Sequence, residues 1–442
     1  MTQETILHKK GGVSSTIRRW IGISSQFALA QGFAQAAGMV VGLVFVRTMS
    51  VKEYALYAMC MTTLGFVAVG SDLGLNGSLA FFWRQSLAAG HAVGPWIAAV
   101  RRLRSWLFVA SLVAGITLLV TSPVASSAPL PIILVNIVLL AGTAWRQLQN
   151  GISLQLIRLE GQQGLSFLCE AIGSVFRLIG AGVLVLTGFA TAWFGLVVGI
   201  LGVTAVSTAL KTLAKTSYTS TSEVLPEDWR ELRRYLLSVV PSVLVYMIQD
   251  PLVLWLAAKQ SGDTTVAEVF ALSRIGAVMA LFGSFSYIVI APELARISDN
   301  SRFLAVLATC FGGLATICTF IIIATCLAPQ VPLWLIGPRY ADLKIEIVIC
   351  LMAVSLTLLG HLIAISNRVR GWVALDPIVS FAQLCLILIL SALWSFDTTR
   401  SVVMLNLSLA GGVLAGAVAT LGLGIFRAEL VATRSVVTAK PD

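Results

Sequence analysis

Charge is what this sequence has least of. Asp, Glu, Lys and Arg make up 11% of its 442 residues, against 57% hydrophobic residues. A water-soluble domain carries about 25% charged residues, so this chain cannot coat itself for water. Histidine is nearly absent as well, confined to His8, His91 and His361. The seven cysteines (Cys60, Cys169, Cys310, Cys318, Cys326, Cys350, Cys385) fall inside apolar runs with no CxxC pair. There they act as small hydrophobes, and neither a metal site nor a disulfide framework is supported. No GxxxxGK[ST] occurs, so a means of hydrolysing a nucleotide is missing and no cofactor is expected. Long loops on one side are also absent, which argues against a glycan polymerase or ligase needing a folded external segment.

What is present is a series of apolar runs of roughly 20 residues, the length an α-helix needs to cross about 30 Å of hydrocarbon. Barrel strands would alternate over about 10 residues instead. The chain therefore reads as an all-α integral membrane protein. About twelve transmembrane helices are expected, at 21–46, 54–82, 100–121, 129–152, 164–187, 190–211, 234–258, 266–291, 303–327, 343–366, 376–395 and 400–425. The first run is too long for a cleavable signal, so it is read as a retained helix. With both termini on the cytoplasmic side, 21 Lys and Arg fall in loops there and 6 on the far side. That positive-inside bias sets the expected orientation. It also accounts for the net charge of +10 without nucleic acid, which is not an expected partner.

The longest internal loop, about 212 to 233, divides the chain near its middle. It ends in LPEDWRELRRYLL, where Pro226 suits a first helical turn and Glu227 and Asp228 complement its dipole. This stretch is expected to lie along the bilayer surface before the chain turns inward. Arg18-Arg19-Trp20 recurs as Arg233-Arg234-Tyr235, and Val51-x-Glu53 as Val266-x-Glu268, both 215 positions later. The expected organisation is two six-helix lobes, 1–216 and 217–442, with 217–233 as an amphipathic linker. Transporters are commonly built from such repeats, with the substrate held between them.

One stretch is more specific. RTMSVKEYALYA and GSDLGLNGSLAFFWRQ bracket the second helix, and they resemble the Wzx-type oligosaccharide flippases, the polysaccharide-transporter branch of the MOP superfamily. The matching residues are Glu53-Tyr54-Ala55-Leu56-Tyr57 and Ser71-Asp72-Leu73-Gly74-Leu75, with Ala55 where glycine is frequent. QDPLVLWLAAKQSGDTTVAEVFALSRI, the APEL of 291–294 and LWLIGPRYADLKIEIVICLM resemble the same family. The resemblance implies two lobes around a central cavity in the bacterial inner membrane. It implies outward transport of a polyprenyl-diphosphate-linked oligosaccharide, beside a glycan polymerase and a chain-length regulator, without enzymatic activity. A drug antiporter of the MATE type on the same fold is the alternative.

Ionisable groups inside hydrocarbon are expensive unless they face protein or water, so they are the candidate site. Arg177 and Arg274 are expected to supply cavity cations for a diphosphate or acidic sugar, with Arg146 and Arg47 as further candidates. Gln31 and Gln35 are polar groups at cavity depth on the first helix. Glu170 lies two turns from Arg177 on one helix face, so a structural pair is the competing reading. Asp250, followed by Pro251, is the expected site of a coupling ion, H+ or Na+, or else a partner for Arg274 or Arg177. His361 is a candidate pH switch, with a hydrogen-bonded packing role as the rival. Asp72 lies about 27 Å along its helix from Tyr54 at roughly 1.5 Å per residue, close to the cytoplasmic boundary. There it is expected to hold an inner gate, pairing with the neighbouring lobe or bonding freed backbone.

Overall fold

The computed structural model describes residues 32–75, 94–160, 162–213, 226–286, 299–370, 375–393 and 395–438, with single positions between them. Among these, all regular structure is helical. Twelve main elements follow in order: α1 (Gly32–Thr48), α2 (Val51–Asp72), α3 (Gly94–Val120), α4 (Leu130–Leu159), α5 (Gln163–Thr187), α6 (Ala192–Leu213), α7 (Pro226–Ser261), α8 (Asp263–Phe285), α9 (Asn300–Leu327), α10 (Lys344–Val369), α11 (Asp376–Leu393) and α12 (Thr399–Thr438). Ten of them are long and apolar enough to cross a membrane; α1 is a shorter apolar helix, and α7 covers the position of the expected seventh span. Large apolar side chains such as Trp106, Leu186, Phe320 and Leu327 stand exposed on the outside, as a lipid-facing surface requires.

Three boundaries differ from the sequence reading, each for a local reason. α2 stops at Asp72 instead of continuing to 82. Leu73 adopts φ 38° and Gly74 φ 82°, and the Leu73 N–H closes the helix on the Val69 carbonyl at 2.9 Å. A left-handed residue at a helix end satisfies an orphan carbonyl, and the Asp-Leu-Gly run supplies it. α7 is one helix from Pro226 through Ser261, so the amphipathic stretch forms its first turns and does not bend away along a surface. α8 is interrupted by a 3-10 turn at Ala277–Met279, a tightening that apolar periodicity cannot reveal. The expected lobe boundary at 216 and 217 lies outside the described residues.

Within the first half, α2 packs on α3, and α6 packs on α4 and α5; within the second, α10 packs on α12 and α9, and α7 on α11. The halves meet where α2 lies against both α7 and α8. Hydrophobicity gives helices in lipid little reason to associate, so close packing and polar bonds carry the specificity. Those bonds recur in the two halves. The Glu53 carboxylate accepts from the Ala192 backbone N–H at the start of α6, at 2.6 Å. The Glu268 carboxylate accepts from the Thr399 hydroxyl at the start of α12. Asn150 on α4 donates to the Val203 carbonyl of α6 at 2.8 Å, and Asn367 on α10 donates to the Ala417 carbonyl of α12 at 2.9 Å.

Asn150 is nearly sealed from solvent and also accepts from Ser207 at 2.6 Å. Replacing it by Leu removes both bonds. Interhelical polar bonds in membranes are worth about 0.6 kcal/mol and up to about 1.7. Asn150→Leu is therefore expected to lower the melting temperature in detergent by a few degrees, and an unchanged melting temperature would contradict the anchoring role.

Candidate functional site: a latched seam and a polar cavity

At the seam, aromatic rings from both halves interlock. Tyr54, fully buried on α2, lies 5.7 Å from Phe270 of α8, and Tyr57 lies 6.3 Å from the same ring. Phe45 of α1 meets Tyr57 edge-on at 5.1 Å. Beyond this aromatic layer, two arginines reach across in opposite directions. Arg47, at the end of α1, donates to the backbone carbonyls of Trp334 and Leu335 in the other half, the latter at 2.9 Å. Its guanidinium also lies 5.2 Å from the centre of the Trp334 ring. Arg339 returns the contact, donating to the Met49 carbonyl at 2.9 Å. Carbonyls at helix ends lack intrahelical donors, so each arginine meets acceptors that the local backbone leaves free. This end of the bundle is latched.

The second half contains a cavity of about 750 Å³, walled by α7, α8, α10, α11 and α12 with Thr62 of α2 at its edge. Its wall is mainly apolar, and its polar groups are mostly neutral amides and hydroxyls, among them Gln249, Gln383, Asn406, Ser273, Ser380 and Thr357. Asp250 projects into it and is exposed there despite its place in the middle of α7. None of the ion pairs among the described residues involves Asp250. It therefore pairs with neither Arg274 nor Arg177. At the opposite end from the latch, Arg368 and Asp376 line the same cavity and pair at 3.6 Å.

The arginines expected as cavity cations stand elsewhere. Arg177 lies in the notch left by Gly202 on α6, where a Cβ would strike its side chain. It donates to Ser174 at 3.1 Å and toward the Gly173 carbonyl at 3.4 Å. It does not line the cavity. Arg158 takes the Glu170 carboxylate at 2.7 Å, and no ion pair joins Glu170 to Arg177 among the described residues. Arg274 is held at the seam: its guanidinium lies 4.2 Å from the centre of the Phe270 ring, and its stem crosses Gly42 of α1. Phe270 and Ser273 line the cavity while Arg274 does not, so the ring stands between cation and cavity. Arg274 Nε is buried without a hydrogen-bond partner among the described residues.

Arg47 belongs to the latch. Arg146 is exposed on α4 and Gln35 half-buried on α1, and neither lines the cavity. Gln31 lies outside the described residues. Asp72 pairs with Arg104 of α3 at 3.3 Å, inside its own half. The cross-seam contact is made by Gly70, where a Cβ would come within 2.5 Å of Met247 Sδ on α7.

Sequence reasoning missed Arg104, Arg339 and the Arg368–Asp376 pair, because the three arginines count there only toward the positive-inside balance and Asp376 only opens an expected helix. The GPRY run held the one available signal for Arg339, a turn that presents a cation beside a helix end. Among the described residues no group of three His, Cys, Asp or Glu is placed to hold a metal ion.

No protein-family model and no curated protein matches the chain. Solved structures do. A multidrug resistance MATE family transporter of the MOP superfamily, in its inward-facing conformation, superposes with TM-score 0.67 at 15% identity over 90% of this chain and 96% of that one. A MATE transporter from Vibrio cholerae, VcmN, gives 0.62 at 14% identity over 94% and 97%. The lipid II flippase MurJ, in an inward closed conformation, gives 0.58 at 13% identity over 94% and 93%. The chain shares the fold of these solved transporters.

A charge-assisted hydrogen bond contributes about 1.5 kcal/mol or more, enough to change an opening equilibrium about tenfold. Cys60 is sealed beneath the aromatic seam. In a chain keeping Cys60 as its sole cysteine, Arg47→Ala with Arg339→Ala is expected to speed its alkylation at least tenfold. An unchanged rate would show that the two arginines latch nothing.

Proposed function

We propose that this protein is a secondary transporter that works by alternating access, and that its cargo is a polyprenyl-diphosphate-linked oligosaccharide carried outward across the bacterial inner membrane. The reading places both termini in the cytoplasm and the Arg47 latch on the outer face. The two lobes, 1–216 and 217–442, are taken as a parallel repeat, which the recurring Glu53/Glu268 and Asn150/Asn367 bonds support.

The observation that carries the cargo assignment is the chemistry of the cavity wall. Amides and hydroxyls bond sugar hydroxyls without demanding charge, and a wet cavity beside lipid suits a hydrophilic head whose tail stays in hydrocarbon. The diphosphate needs cations. Arg274, without an ion-pair partner among the described residues, lies against Phe270 of the cavity wall while Gly42 of α1 covers its stem. Separation of α1 from α8 would release that guanidinium toward the cavity, where its planar fork can bind phosphate through two hydrogen bonds. Asp250 is the coupling site in this reading.

A second reading is favoured by Asp250 itself. An unpaired carboxylate facing a cavity is what a cationic small molecule needs, as in a MATE-like antiporter. The glycan partners, polymerase and chain-length regulator, belong to the first reading only.

Deletion followed by lipid extraction separates them. Loss of the flippase is expected to leave lipid-linked repeat units on the cytoplasmic leaflet and remove surface polymer, and Asp250→Asn and Arg274→Ala are expected to restore less than about a tenth of it. Unaltered surface glycan together with heightened sensitivity to cationic drugs would overturn the cargo assignment in favour of the antiporter.

A further inference from the structure

Among the described residues, six ionisable side chains face the cavity: Asp250 and Tyr246 from α7, Cys350, His361 and Arg368 from α10, and Asp376 from α11. The stretches of α2, α8 and α12 that line it contribute neutral groups only. Tyr246 precedes Asp250 by one turn of α7, and its ring lies 6.5 Å from the imidazole of His361 across the cavity. Arg368 follows His361 by seven residues, two turns along the same face of α10. It pairs there with Asp376 at 3.6 Å, with its own side chain 64% exposed. Polar groups therefore lead from the middle of α7 to the end of the bundle opposite the latch, through a space otherwise walled by apolar side chains.

We infer that this cavity is a proton path, in which His361 relays protons between Asp250 and the water beyond the Arg368–Asp376 pair. The inference rests on the reading above for the role of Asp250 and for sidedness, and it makes the coupling ion H+. Imidazole is the side chain that ordinarily titrates between about pH 5 and 8, and it can accept a proton on one ring nitrogen while releasing one from the other. On discharge, the Asp250 carboxylic acid gives its proton to neutral His361, leaving a carboxylate and an imidazolium. The imidazolium passes a proton to water at the cytoplasmic mouth and returns to neutral, so the net transfer is one proton from Asp250 to water. Tyr246, one turn from Asp250 and with its ring beside His361, carries the hydroxyl that hands the proton across in this account. The Arg368–Asp376 pair bridges α10 and α11 at the rim and restricts exchange there.

Two measurements test this without any cargo. The chain has three histidines, so His8→Gln with His91→Gln leaves His361 alone for ¹⁵N-imidazole titration in reconstituted full-length protein. The imidazole is expected to titrate, and its midpoint is expected to move when Asp250→Asn is made. The second measurement uses His361→Cys in an otherwise cysteine-free chain, in vesicles of known sidedness, with a membrane-impermeant thiol reagent. Labelling is expected from the cytoplasmic side and about tenfold faster once Asp376→Asn breaks the rim pair. An imidazole that does not titrate, a midpoint indifferent to Asp250, or labelling only from the outer side overturns the relay. Failure here leaves the saccharide cargo untouched, and loss of the saccharide assignment leaves an intact titration standing.

Discussion

A charge held in hydrocarbon has to be answered, and the placement of the described charges follows from the ways available to answer it. Insertion scales put an arginine or aspartate at the centre of a membrane helix at about 2.5 to 3.5 kcal/mol. One bond to a charged partner, at about 1.5 to 3 kcal/mol, is of the same size, so a single good contact decides whether a position is tolerable. Asp72 with Arg104 and Glu170 with Arg158 solve the problem by pairing inside one half. Arg47, Arg339 and Glu53 solve it at helix ends, where backbone groups lack partners. Asp250 uses neither device; it faces an open cavity, where water is the remaining answer.

In the transport account that contrast separates scaffold from moving parts. Pairs within a half would hold their helices together whichever way the halves tilt. The bonds of Arg47 and Arg339 cross between halves and in that account exist only while the seam is shut at their end. Arg274 belongs to the second group, because its stem lies over Gly42 of α1 while its helix belongs to the other half. In the transport account, one rocking motion breaks the latch, uncovers Arg274 and changes the access of Asp250 to water.

Much of the fold was legible in the sequence. Twenty-residue apolar runs locate the helices because hydrocarbon thickness imposes that length, and the twelve expected spans have twelve counterparts. What periodicity could not convey was geometry set by single residues: the left-handed Leu73 and Gly74 that end α2 early, and the 3-10 turn inside α8. The site was less legible. Asp250 was identifiable because a carboxylate followed by proline in mid-helix has few structural reasons to exist. For Arg177 and Arg274, sequence gives depth but not facing. Arg177 turns toward Gly202 on a neighbouring helix, and Arg274 is screened from the cavity by Phe270 one turn away. Glu170 was placed two turns from Arg177 correctly, yet the connection between α4 and α5 brings Arg158 to it first.

The central claim is that the two halves exchange between a state latched at the Arg47 end and one opened there. Lys52 and Thr264 are exposed near the starts of α2 and α8, one on each side of the latch. Spin labels at Lys52→Cys and Thr264→Cys, in reconstituted protein, report the distance between them by double electron–electron resonance. The account predicts two distance populations, with the longer one growing when the latch arginines are replaced by alanine. A single distance, unmoved by that replacement and by pH, would contradict it.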